Sequence, residues 1–317
     1  MNPPDSRKDL SIPKTMKAWV LDGPEQLRLA EKPVPQPGPA EVLVRIDAVA
    51  ICGTDVEIIT KGLPAWIQGD LPFHKNFTPG HEYMGTVAKL GAGVDEFKIG
   101  DRVAVEIHAG CGRCERCRMG MYTSCLNYGL NYGANNKGPR APGFAAVGGF
   151  AEYAGNHFTP LAHVPDEMSD EEATLIVTAG TAMYGLDVLG GLIAGESLAV
   201  TGPGPIGLMS VAVGKALGAQ PVILTGTRDS RVNMGIRLGA DHVINYEKSD
   251  FVGEVRRLTS KRGVDVVFDH VGEKTWEGSV RGLKSGGRLV TCGATTGHQV
   301  KIDLKHLFYR KLSLLGS

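Results

Sequence analysis

Cys111, Cys114, Cys117 and Cys125 follow C-x2-C-x2-C-x7-C within a glycine- and arginine-rich loop. Four thiolates with no histidine make a closed tetrahedral donor set, which is how a structural zinc site is built. Iron–sulfur clusters use related spacings, but the bacterial run places a proline after the last cysteine, where this chain has Leu126. Structural zinc is the favoured reading; an iron–sulfur cluster and unligated thiols are the alternatives. A second set of donors is more dispersed. Cys52-Gly53-Thr54-Asp55 and Gly80-His81-Glu82 supply a thiolate, an imidazole and a carboxylate. Zinc accepts these ligand types while a fourth position stays open for water or substrate. Cys52 and His81 stand 29 positions apart, so spacing alone leaves two readings open: a metal site, or a buried cysteine and a satisfied histidine.

The third motif is Gly202-Pro203-Gly204-Pro205-Ile206-Gly207, a G-x-G-x-x-G run after the apolar Leu198-Ala199-Val200. The first glycine permits a tight turn, the second lets backbone approach a pyrophosphate, and the third lets helix pack on strand. The helix N-terminus adds free N–H groups for the phosphates. Gly202, Gly204, Pro205, Ile206 and Gly207 are therefore candidate coenzyme-binding residues. The next strand, Val222 to Thr225, runs into Gly226-Thr227-Arg228. NAD enzymes place an acid here for the ribose hydroxyls. A glycine, a hydroxyl and an arginine suit a 2′-phosphate instead, so NADP(H) is favoured over NAD(H), with Arg228 as its counter-charge. The plain alternative is a solvent-facing helix start with surface arginines.

These groups must be positioned by two kinds of element. Short strands and glycine turns run from Met16 to about residue 165: Met16–Val20, Leu27–Leu29 and Glu41–Ile46 lead a β-rich region. Ser169 is placed to cap a helix carrying Ala173 to Ile176, and a second helix is expected over Thr181 to Leu189. Strands near 198, 222, 243, 264 and 288 then alternate with helix patterns, which means parallel strands with crossover helices. The fold class is α/β: a β-rich domain over 16–172, with the four-cysteine lobe at 109–126, then a doubly wound Rossmann domain over 173–317. Residues Asp269-His270-Val271-Gly272 and Cys292-Gly293 follow the fourth and fifth strands, at the carboxyl edge where ligands of such sheets bind. His270 reads as structural rather than as a catalytic base, and Cys292 as a core residue.

Composition narrows the partners. With 34 basic and 34 acidic residues in 317, there is no electrostatic case for nucleic acid or an anionic membrane. No apolar run is long enough to span a bilayer, and the polar, proline-dotted start lacks the apolar core of a signal peptide. A cytoplasmic location is the default expectation, and clustered cysteines in a reducing compartment point to metal.

Taken together, these motifs in this order resemble the zinc-containing medium-chain dehydrogenase/reductases, the family of alcohol and polyol dehydrogenases. The likeness runs from about residue 16 to the end and includes Gly286-Gly287-Arg288-Leu289-Val290-Thr291-Cys292-Gly293. It implies a GroES-like catalytic domain, a Rossmann domain and an active site in the cleft between them. It assigns Cys52 and His81 to a catalytic zinc, with Glu82 as direct ligand or near neighbour. Thr54 would handle the substrate hydroxyl and its proton, and Asp55 would orient the zinc histidine. Backbone of Val271 and Gly293 would line the nicotinamide. The family's dimers and tetramers pair edge strands, here Leu312 to Leu315. Two departures stand out. The third-ligand position holds Val177 or Thr178, neither a good zinc ligand, and the proton-relay position beyond Thr54 holds Glu57, either a relay or a solvated charge. The family also continues past the sixth strand, so either this chain is truncated or that piece has been lost.

The leading expectation is an NADP-preferring zinc enzyme that interconverts an alcohol and a carbonyl. A zinc-independent quinone or enone reductase and a non-catalytic coenzyme-binding protein are the alternatives. Trp66, in Gly62 to Ile67, lines a substrate pocket or sits in a core.

Overall fold

The computed structural model describes residues 11–62, 76–128, 137, 140–144 and 146–317. The chain divides into two compact units, Met1–Val177 and Thr178–Ser317. In the first, β1 (Thr15–Leu21) and β2 (Leu27–Pro33) form an antiparallel hairpin. A five-stranded antiparallel sheet follows, from β3 (Glu41–Ala50), β4 (Glu82–Leu90), β5 (Arg102–Val105), β6 (Tyr153–His157) and β7 (Leu161–His163), in the order β6-β3-β4-β5-β7. The pleat sends Val42 and Val44 to one face, where they pack with Tyr83, Val87, Val103 and Val105. Leu43 goes to the other, with Met16 and Ala88. Helix α1 (Gly53–Lys61) leaves the end of β3, and α2 (Glu115–Arg118) lies in the four-cysteine lobe.

Ser169 caps α3 (Asp170–Ala173) as the sequence suggests: its hydroxyl accepts from Glu172 N while Glu172 returns a bond to Ser169 N. The helices around it differ from expectation. α3 stops at Ala173, where the Thr174 hydroxyl turns back to Glu171 O, and α4 (Ile176–Met183) starts five residues earlier than predicted. Tyr184–Leu189 continues as a π-helix, with Gly190 N bonded to Gly185 O. The wider turn buries the adjacent Gly185 and Leu186 together. A side chain at Gly185 would meet Phe268 at 2.5 Å.

The second unit is built on β8 (Leu198–Thr201), α5 (Pro205–Ala216), β9 (Val222–Gly226), α6 (Asp229–Arg237), β10 (His242–Asn245), α7 (Phe251–Leu258), β11 (Val264–Asp269), α8 (Glu273–Gly282), β12 (Leu283–Thr291), α9 (Leu304–Tyr309) and β13 (Ser313–Gly316). Six parallel strands run in the order β10-β9-β8-β11-β12-β13, the doubly wound 3-2-1-4-5-6 pattern. Both faces are covered, so the central strands β8, β9 and β11 are buried at every position rather than alternately. Val200, Leu224, Phe268 and Val290 pack with Val211 of α5 on one side, and Ala199, Ile223, Val267 and Leu289 with Val255 of α7 on the other. Among the described residues, no helix is long and apolar enough to cross a membrane.

Candidate functional site

The pairing of β3 with β4 does what sequence spacing could not. Ala50, the last residue of β3, lies opposite Glu82, the first of β4. That register brings the turn holding Cys52 against the turn holding His81. One ligand atom each from Cys52, His81 and Glu82 lies within 4.8 Å of the others. Asp55 fixes the arrangement. Its Oδ2 accepts from Cys52 N at 2.9 Å, closing the first turn of α1. Its Oδ1 accepts from Gly80 N at 3.2 Å and lies 3.0 Å from His81 Nδ1. Both Asp55 and His81 are buried. With the proton on Nδ1, the Nε2 of His81 is left as the ligand atom. Burial alone would lower the imidazole's proton affinity, but the hydrogen bonds to Asp55 and Cys52 outweigh it and raise its pKa to about 9. Phe144 covers the ring at 4.4 Å between centroids. Gly80 holds φ of +93°, and a side chain there would strike Phe150, so the turn before His81 admits only glycine.

Thr54 sits half-buried in the first turn of α1, beside these ligands in sequence. Glu57 points outward and pairs with Lys61 at 3.4 Å, so the solvated-charge reading fits its surroundings. Val177 packs beside the cluster of Leu21, Ile58 and Phe144, and Thr178 is buried. Trp66 lies outside the described residues.

The four sulfurs of the lobe also converge within 4.8 Å. Cys111 and Cys117 stand 4.0 Å apart and Cys114 and Cys125 3.9 Å, close to the roughly 3.8 Å edge of a tetrahedron with zinc–sulfur bonds of about 2.3 Å. Backbone N–H groups of Cys114, Cys117 and Asn127 donate to sulfurs of Cys111, Cys114 and Cys125. The Asn127 amide reaches Cys111 Sγ at 3.1 Å. Against a burial penalty, such bonds bring Cys111 down to about 6, whereas burial and its neighbouring thiols push Cys117 up to about 12. Four thiolates held this close repel one another unless a cation stands among them. Asn127 escaped the sequence reading because nothing in its local pattern marks it.

In the second unit the glycine run behaves as its spacing predicts. Gly202 takes φ of +86° to turn out of β8, and Gly204 caps α5 with Pro205 as its first residue. A side chain at Gly207 would lie 1.8 Å from Gly202 O, so the helix packs on the strand end only with hydrogen at that position. The N–H groups of the first turn of α5 are thus left at the carboxyl edge of the sheet, the ordinary anion-binding arrangement. Gly226 is the last residue of β9, and its absent side chain is filled by Pro203, 2.6 Å from where a Cβ would stand. The acid of an NAD site has no room there. Thr227 O accepts from Asn245 Nδ2, and Arg228 takes the extended cap position of α6.

His270 lies against this turn, its ring 3.3 Å from a Cβ placed on Gly202. Its Nδ1 is buried without a partner among the described residues, and burial lowers its pKa. The polar groups of Val271 are engaged internally: its N–H donates to Asp269 and its carbonyl accepts twice from Thr296. Gly293 stands beside His270 O. Sequence reasoning missed Asp269 itself. Fully buried, it accepts from Val271 N, Gly272 N, Thr275 Oγ1 and Ser279 Oγ, and so holds the loop after β11.

This arrangement agrees with what related proteins report. Residues 38–166 match the alcohol dehydrogenase GroES-like domain, and residues 205–317 the zinc-binding dehydrogenase domain. The chain is 37% identical over 316 residues to L-threonine 3-dehydrogenase of Pyrococcus abyssi, covering 98% of this chain and 83% of that protein. It belongs to the zinc-containing medium-chain dehydrogenases. Its fold is shared with a crystal structure of a zinc-binding dehydrogenase from Sinorhizobium meliloti bound to NADP, at 28% identity and a TM-score of 0.82, over 96% of this chain and 84% of that one. An NAD-dependent alcohol dehydrogenase matches at 33% identity and a TM-score of 0.82, over 95% and 84%. The protein is therefore an alcohol dehydrogenase-like oxidoreductase acting on a small molecule, with zinc and a nicotinamide coenzyme.

Proposed function

We propose that the chain interconverts an alcohol and its carbonyl compound with NADP(H), using a zinc ion held by Cys52, His81 and Glu82. The observation that carries this is the convergence of these three donors around the single carboxylate of Asp55. Three protein ligands leave a fourth position for the substrate oxygen, the pattern of catalytic rather than structural zinc. Zinc, when bound, supplies a Lewis acid that polarises that oxygen and lowers its proton affinity. A nicotinamide coenzyme, when bound, would supply the hydride acceptor, leaving the hydroxyl proton for the protein to handle. Thr54 Oγ1 takes that proton on toward solvent. Asp55 keeps His81 in the ligating tautomer. The four-cysteine lobe holds a second, structural zinc.

NADP(H) is favoured by Gly226, which excludes the acid an NAD site needs, and by Arg228, which offers a guanidinium to a 2′-phosphate. Gly202, Gly204, Pro205, Ile206 and Gly207 would hold the pyrophosphate, and Gly226, Thr227 and Arg228 the adenosine ribose. Val271 and Gly293 would border the nicotinamide through their backbone shape, since the carbonyl of Val271 is already spent. Among the described residues β13 forms a sheet edge, bonded to β12 alone, which supports a homodimer or homotetramer. The reduced thiols suit the cytoplasm.

Cys52→Ser tests the reading. It is expected to abolish turnover on an alcohol and aldehyde panel while NADPH still binds. Undiminished turnover would overturn it, and chelator-resistant reduction of enones would point to the reductase alternative.

A further inference from the structure

His270 directly follows β11 at the carboxyl edge of the parallel sheet, and its ring lies in a hollow left by glycines. A Cβ on Gly207 would stand 2.9 Å from His270 Cε1, and one on Gly202 3.3 Å from both Cε1 and Nε2. Side chains at either position would crowd the ring out. At Gly204 the space is otherwise open. Apart from its chain neighbours and the backbone of α5, the one described atom within 4 Å of a Cβ built there is His270 Nε2, at 3.8 Å. The second glycine of such a turn is bare so that a pyrophosphate can come up against the backbone. The nitrogen facing that bare position therefore faces the space the phosphates take.

The two ring nitrogens differ. Nδ1 is sealed from water without a partner among the described residues, whereas Nε2 is not among the sealed atoms. Protonating Nδ1 would bury a donor with no acceptor, so the proton of the neutral ring belongs on Nε2 and makes that atom a donor. Burial holds the pKa of His270 below its ordinary value, and the ring is uncharged near pH 7. The neighbouring Asp269 would oppose an anion, but its oxygens already accept from Val271 N, Gly272 N, Thr275 Oγ1 and Ser279 Oγ. Those bonds fix the backbone just after His270, and Thr295 Oγ1 donates to His270 O at 3.1 Å.

We propose that His270 is a further coenzyme-binding residue whose Nε2–H donates to a phosphate oxygen at the glycine turn, beside the N–H groups of α5; this rests on the coenzyme assignment proposed above. A hydrogen bond to a charged oxygen in a half-buried setting is the strong kind. The pyrophosphate is common to NADPH and NADH, so His270 serves both alike, whereas Arg228 tells them apart.

Protein labelled with 15N-histidine carries nine imidazoles, and His270→Gln identifies the one that matters. NADPH and NADH are titrated separately into the wild type while long-range proton–nitrogen spectra follow the ring. His270 is expected to show the neutral Nε2–H form in the free protein, and its Nε2 signal to move to saturation with each coenzyme. Two variants then separate a donor from a packing group. Glutamine offers an amide N–H at about the reach of Nε2, whereas leucine fills space without a donor. His270→Leu is expected to weaken both coenzymes about tenfold or more, the worth of a lost charge-assisted bond, and His270→Gln by only a few-fold. An Nε2 signal that stays put while both coenzymes bind overturns the inference and leaves the coenzyme assignment standing. So does a His270→Leu variant that binds as tightly as His270→Gln, the order a packing role gives. Should the leucine variant fail to fold, the wild-type signal decides. Wild type that binds neither coenzyme overturns the coenzyme assignment, and the role of His270 falls with it.

Discussion

Asp55 divides its two oxygens among Cys52 N, Gly80 N and His81 Nδ1, and so carries the geometry of both neighbouring ligands. Replacing it with asparagine keeps an acceptor but gives up the charge and sets an amide against one of these donors. Second-sphere changes of this kind cost about 10–100-fold in metal affinity. Asp55→Asn is therefore predicted to lower zinc affinity at the Cys52 site by that amount in a competitive chelator titration, with zinc in the four-cysteine lobe retained. Equal loss from both sites would show a general defect instead. At the coenzyme turn, Arg228→Gln is predicted to weaken NADPH binding about tenfold or more while leaving NADH nearly unchanged, measured by quenching or calorimetry. Equal loss for both coenzymes would assign Arg228 to the fold. Gly207 was legible from its spacing, whereas type and spacing left Cys52 and His81 with two open readings until the fold brought them together. Asn127 and Asp269 were not legible, because a lone polar residue shows its role only when its partners are in place.

At the scale of elements, the β3–β4 register and the loop after β11 decide where the chemistry sits. The loop depends on Asp269, whose buried carboxylate gathers two backbone N–H groups and two hydroxyls. Asp269→Ala leaves those donors unpaired, at a cost of about 1–3 kcal/mol for each buried one that water fails to reach. A drop in the urea midpoint together with weaker coenzyme binding is the expected result; a stable variant with normal binding would contradict it. The glycine turn, the six parallel strands and the Ser169 cap could be read from pattern, since period, caps and turn residues are local signals. The π-helix of Tyr184–Leu189 could not. It arises from Gly185 fitting against Phe268, a contact between residues 83 positions apart. The register that joins Ala50 to Glu82 is equally non-local, which is why the Cys52–His81 pair looked weak as a sequence motif.

For the molecule as a whole, the second unit has a defined dependence on acid. Glu196 is held below the ordinary carboxylate range by its hydrogen bonds with Arg288, against partial burial and with help from Ile193 N. Arg288 in turn reaches Gly190 and Gly191 carbonyls, so the pair ties β12 to the segment before β8. A carboxylate whose folded pKa is depressed stabilises fully above its unfolded value, about 4.3, and loses that stabilisation as pH falls through the folded value. Wild type is thus predicted to lose urea resistance below about pH 4.3, and Glu196→Gln to be weaker at pH 7 with a flatter acid limb. An unchanged acid limb would remove Glu196 from the account.

The claim on which the rest depends is that one chain holds two zinc ions of different kinds. Zinc per chain, measured on protein purified without added metal, tests it most directly. The account predicts close to two for the wild type and close to one for Cys52→Ser, with the four-cysteine lobe still filled. A wild-type value near one that Cys52→Ser leaves unchanged would contradict it, and Cys52, His81 and Glu82 would then be a cluster without a metal.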